Sequence, residues 1–125
     1  MSIKVGMGKI FAKRYQEYPK EDRLKIANFI ASLFSSGYSN LEGRNKYSDD
    51  INPNDSDFLR KITFVKNHCL WHYHIGITSY DMTKKYGDRT SEFILHYSRI
   101  NANEIKIADL DRHPPFNLPD IKFLN

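Results

Sequence analysis

Cysteine is nearly absent: the chain has one, Cys69, among 125 residues. No disulfide can form within it, so the fold rests on packing, which suits a reducing compartment. Long apolar runs are missing too, and nothing approaches the ~20 residues of a membrane helix. The start, Met-Ser-Ile-Lys-Val, has no apolar core of a secretory signal. The expectation is a cytoplasmic protein without membrane contact. Also missing are an internal repeat, a Gly-rich phosphate loop, a Cys/His zinc spacing and a nucleophile elbow, so the usual local signatures of kinases, nucleotide enzymes and serine hydrolases find no support.

Positive charge and aromatic rings are in supply. The formal charge is +4, and eight Tyr, eight Phe and one Trp accompany it. Four acids, Asp49, Asp50, Asp55 and Asp57, crowd one polar stretch, which leaves the rest of the chain more basic than the total implies. Such a surface is compatible with a polyanion such as RNA, because Lys and Arg neutralise phosphates and rings stack on bases.

A chain of this length fits a single domain with its own core. Residues 3–5 suit a first strand and 9–18 a short helix. Pro19, with Glu21 and Asp22 in the first turn, opens a clearer helix. Ile26, Phe29, Ile30, Leu33 and Phe34 recur on it at helical spacing, and Gly37 ends it. Residues 38–57 lack either apolar period and read as a long polar connection that includes Arg44 and Lys46. Residues 58–66 alternate, with Phe58, Arg60, Ile62 and Phe64 opposite Leu59, Lys61, Thr63 and Val65. This predicts a strand, turned at Asn67-His68 into the next. Residues 78–90 form a second polar connection, and 92–100 and 104–110 form a hairpin about Asn101-Ala102-Asn103. Pro114 and Pro115 forbid further pairing. The pattern predicts an α+β domain, with N-terminal helices packed on one face of a twisted antiparallel sheet.

The segment Leu70-Trp71-His72-Tyr73-His74-Ile75-Gly76-Ile77 organises the rest. Strand alternation puts Trp71, Tyr73, Ile75 and Ile77 on one face and His72 and His74 on the other. Cys69 falls on the Trp71 face, as a small buried thiol. Rings two residues apart lie about 6.5–7 Å apart, near enough to share a phosphate or a metal. His96 joins the same uncovered face, while Arg89 and His113 fall at strand ends.

From about residue 29 to residue 113 this string of features resembles the YafO group of bacterial toxins, within the RelE-like superfamily. The resemblance rests on Gly43-Arg44 followed by Tyr47-Ser48-Asp49-Asp50, on Trp71-His72-Tyr73-His74-Ile75, on Arg89-Thr90-Ser91 leading into Phe93-Ile94-Leu95, and on Ile105-Lys106-Ile107-Ala108 running to His113. The loop before Arg89 departs from the group in length. The resemblance implies a helix-on-sheet toxin of a toxin–antitoxin module: an mRNA endoribonuclease that acts on the ribosome, needs neither metal nor other cofactor, and is blocked by a cognate antitoxin. The chemistry is consistent with it, since RNA carries its own nucleophile in the 2′-hydroxyl and imidazole transfers protons near neutrality. Under this reading His72 and His74 handle proton transfer and phosphate contact, Arg89 stabilises the phosphate, and His113 protonates the leaving oxygen. Lys84, Lys85 and Lys106 contact the RNA backbone. Two alternatives stay open: a zinc hydrolase using His72, His74 and one of His96 or His113, and a non-catalytic module that only binds RNA or protein.

Overall fold

The structure, a computed structural model, describes residues 2–125. In chain order they form β1 (Lys4–Met7), α1 (Lys9–Tyr15), α2 (Lys20–Ser36), β2 (Asn45–Tyr47), α3 (Phe58–His68), β3 (Leu70–His74), β4 (Phe93–Asn101) and β5 (Glu104–Arg112), with a closing 3₁₀ turn at Ile121–Leu124. One five-stranded sheet in the order β1-β5-β4-β3-β2 carries them, so the α+β class holds. No helix among the described residues is long and apolar enough to cross a membrane.

Helix α2 forms because Ile26, Phe29 and Leu33 recur on one side, and all three are buried. Gly37, at φ +61°, stops it and donates its N–H to Leu33 O, a conformation that favours glycine. These side chains and Phe11 of α1 meet Tyr73, Ile75, Leu95, Tyr97, Ile105 and Ile107, the inward face of the sheet. Phe29 lies nearly flat on Tyr73, ring centres 4.5 Å apart. At the margin of this layer Arg99 is clasped between two rings, 3.9 Å from Tyr38 and 3.4 Å from Trp71.

Several expectations are corrected. Residues 58–66 are helical, not a strand: Asp57 precedes the first turn and Val65 is the side chain that buries. Cys69 is exposed rather than buried, and at φ 48° it serves as the left-handed cap of α3. The partner of β3 on that side is therefore β2, three residues within the stretch read as a connection. The sheet is mixed, since β1 runs parallel to β5. Strand β3 ends at His74, before Gly76 turns the chain at φ +81°, although Ile75 and Ile77 stay buried. Phe34, counted in the apolar stripe of α2, is exposed.

The second face of the sheet is not left open either. Val65, Leu70 and Ile94 are buried outside the main cluster, and Phe116 returns across His72 at 4.8 Å. The N-terminal helices α1 and α2 pack on one face as expected, and Phe64 of α3 shares a hollow with Phe116 on the other.

Candidate active site: a recessed histidine cluster

The site grows out of strand pairing. Partners across an antiparallel ladder point the same way, and β3 pairs His72 with Lys46 on one side and with His96 on the other. The ladder extends one step further, because His74 N–H donates to Arg44 O. Arg44, just before β2, and Lys46 on it are two residues apart and thus share the face of His74 and His72. His113 arrives from the end of β5, where its N–H donates to Glu92 O and the chain turns back through Pro114 and Pro115 to Phe116.

The three rings His72, His74 and His113 each offer a nitrogen within 4.8 Å of the others. Their ring centres lie 6.1 Å (His72–His74), 5.9 Å (His72–His113) and 5.5 Å (His74–His113) apart. With Arg44, Lys46, Asp50 and Phe116 they line a hollow of about 240 Å³. That is below the ~300–1,000 Å³ of typical small-molecule sites, and suits a phosphate group better than a whole nucleotide. A wider hollow of about 570 Å³ adjoins it, sharing Arg44, His74 and His113.

Neighbouring groups fix the rings. Ser48 Oγ, fully buried, lies 2.9 Å from His72 Nδ1. His74 Nδ1 lies 3.0 Å from both the N–H and the carbonyl oxygen of Ser91, so either neutral tautomer finds a partner. In both rings Nδ1 is committed, and Nε2 is left for whatever enters. His113 Nδ1 is buried with no partner among the described residues.

Burial is the first cause of the site's electrostatics. It lowers His72 to a pKa of about 3, helped by the positive charge that His96, His74, His113 and Lys46 would add. Burial likewise takes His74 to about 4, and lowers His113 with Arg44 and Lys46 assisting. At neutral pH all three are uncharged, with nitrogens free to accept a proton or bind a ligand, but burial makes His72 and His74 weaker bases than a free imidazole. The cations above them are partnered: Lys46 with Asp50 at 2.8 Å, and Arg44 with Asp88 through two contacts of 2.7 and 3.3 Å. A ligand anion would share them with these carboxylates.

The expected open histidine face is therefore a recess, with His72 and His74 each only 4% exposed. Other predicted residues lie elsewhere. Arg89 points away from the cluster: its Nη1 pairs with Glu42 at 2.8 Å, its Nε donates to Lys84 O, and it lies over Tyr86. Neither Lys84 nor Lys85 lines the hollow, and Lys106 Nζ reaches Leu124 O at 3.5 Å under the C-terminal turn. His96 is fully buried behind His72, its ring 6.5 Å away.

Arg44 and Lys46 are the residues sequence reasoning left out of the site, although the two-residue period would have placed them had β2 been recognised. Ser48, Ser91 and Phe116 carried no comparable signal. Against known proteins the chain matches no family model, no curated protein and no solved structure, so the likeness to the YafO group is carried by the quoted motifs alone.

Proposed function

We propose that this protein is an endoribonuclease of the toxin type, which cuts mRNA on the ribosome by acid–base chemistry and is held in check by a cognate antitoxin. The observation that supports it most is the convergence of three uncharged imidazoles under two cations in a phosphate-sized hollow. Neither Ser48 nor Cys69 is placed to act as the nucleophile. Ser48 is fully buried on the far nitrogen of His72, and Cys69 lies at the end of α3.

In this reading His74, which lines both hollows, takes the proton of the RNA 2′-hydroxyl. The 2′-oxygen bonds to phosphorus as the bond to the 5′-oxygen breaks, leaving a cyclic phosphate and a free 5′-hydroxyl. His72 contacts the phosphate, and Arg44 and Lys46 stabilise its non-bridging oxygens, the role first expected of Arg89. His113 protonates the departing oxygen, having gained its proton once the phosphate's negative charge offsets the neighbouring cations.

The test is primer-extension mapping of cellular mRNA after a short pulse of expression, comparing wild type with His72→Ala and His74→Ala. New ends inside translated regions, lost in folded variants, support the reading. Ends that are identical in wild type and variants reject it.

A specific observation also favours a metal reading: His72, His74 and His113 form a donor set with no carboxylate, and two of the rings are braced through Nδ1. Zinc–nitrogen bonds of ~2.0–2.1 Å in a tetrahedron place nitrogens about 3.4 Å apart, so the rings would have to close in. Stoichiometric zinc in purified protein, with activity lost to chelator and restored by metal, would replace the metal-free scheme.

A further inference from the structure

We propose that a second cavity, reached around Tyr80 from the histidine recess, seats a base of the same RNA strand next to the phosphate being cut. This rests on the endoribonuclease reading and names where its sequence preference resides. The cavity holds about 540 Å³, and Phe29, Tyr73, Tyr80 and Tyr86 contribute rings to its lining while Asn28 and Asn40 stand at its margin.

Continuity ties it to the chemistry. Ser79 and Tyr80 line both this cavity and the 570 Å³ hollow that contains His74 and His113. Tyr80 also holds the two together, since its hydroxyl donates to His74 O at 2.7 Å and lies 2.9 Å from the Tyr73 hydroxyl. One strand of nucleic acid can then place its phosphate at the imidazoles and turn an adjoining base into the aromatic cavity.

The lining suits a base rather than an aliphatic ligand. Tyr86, 55% exposed, offers a ring face at the mouth. Asn28 and Asn40 are exposed amides, the side-chain type that reads base edges with a donor and an acceptor together. The floor is held: Lys25 Nζ donates to Gly76 O at 2.5 Å and Thr78 O at 2.6 Å, which pins the 76–78 turn to α2. Arg89 acquires a place as well. With its guanidinium paired to Glu42 and lying 5.8 Å from the Tyr86 ring centre, it is a positioning residue for this wall.

The experiment titrates short 2′-O-methylated oligonucleotides, homopolymers of A, C, G or U that cannot be cut, into wild type, Tyr86→Ala and Tyr86→Phe. Affinity is read by fluorescence anisotropy and the site by the side-chain amide resonances of Asn28 and Asn40. Wild type should prefer one base and shift both amides. Tyr86→Ala should bind about tenfold more weakly with the preference flattened, and Tyr86→Phe should keep both. Equal affinity in wild type and Tyr86→Ala, or unmoved amides, overturns the base seat. Mapping mRNA ends with the same variants separates the two ideas. Wild-type cleavage whose positions are unchanged in Tyr86→Ala defeats only the seat, whereas base-selective binding at the amides without any cleavage defeats only the nuclease.

Discussion

His96→Leu should stabilise this protein, and more so in acid. His96 is completely buried, and neither ring nitrogen has a hydrogen-bond partner; the Asn117 backbone lies near enough to favour the charged form without reaching bonding geometry. An unsatisfied buried polar group costs about 1–3 kcal/mol, and an aliphatic side chain of similar bulk removes that cost while filling the space between Ile94 and the ring of Phe116. Burial also lowers the His96 pKa from 6.5 to about 4. Between those values the unfolded chain binds a proton that the folded chain refuses, so stability rises with pH and is lost on acidification at about 1.4 kcal/mol per pH unit. By pH 5 that adds about 2 kcal/mol, which brings the expected advantage of the substitution to about 3–5 kcal/mol. Urea unfolding at pH 7.5, 6.5, 5.5 and 5.0, with equal slopes in both proteins, measures it. Loss of stability at pH 7.5, or parallel curves for the two proteins down to pH 5, would refute the reasoning.

Three further outcomes follow from the same geometry. Gly43→Ala should prevent folding or destabilise by on the order of 4 kcal/mol, because the new methyl would stand 1.9 Å from His74 O; circular dichroism of the soluble fraction shows it. Ser48→Ala, which leaves the buried His72 Nδ1 without a partner, should cost about 1–3 kcal/mol in the urea midpoint. Arg44→Ala should lower the single-turnover rate of RNA cleavage about a hundredfold or more, whereas Arg89→Ala should leave that rate near wild type and weaken oligonucleotide binding instead. A larger rate loss from Arg89→Ala than from Arg44→Ala would reverse that division of labour.

What was legible in the sequence was what one period decides. The faces of β3 and β4 followed from the two-residue period, with Trp71, Tyr73, Leu95 and Tyr97 opposite His72, His74 and His96, and they came out as read. Helix α2 declared itself through its apolar spacing and Gly37. Residues 58–68 misled because over so short a run Phe58, Ile62 and Val65 satisfy a helical spacing while Phe58, Ile62 and Phe64 also fit a period of two. The helix then ends on Cys69 in a left-handed conformation, where no glycine gave warning. Strand β2 is three residues without apolar alternation, visible only through its pairing to β3. Missing it hid Arg44 and Lys46, and their place in the site was given to Arg89. The cover over the histidines was illegible for a different reason: Phe116 reaches them by tertiary packing that no local pattern encodes.

Trp71 is the only tryptophan, and its indole sits against Arg99, with Tyr47 of β2 5.6 Å away. That makes it a native optical probe whose surroundings belong to the same short strand that delivers Lys46. Undocking of β2 would strip Tyr47 from the indole and change its emission, so the assembly of the cationic rim can be followed by fluorescence without attaching a dye.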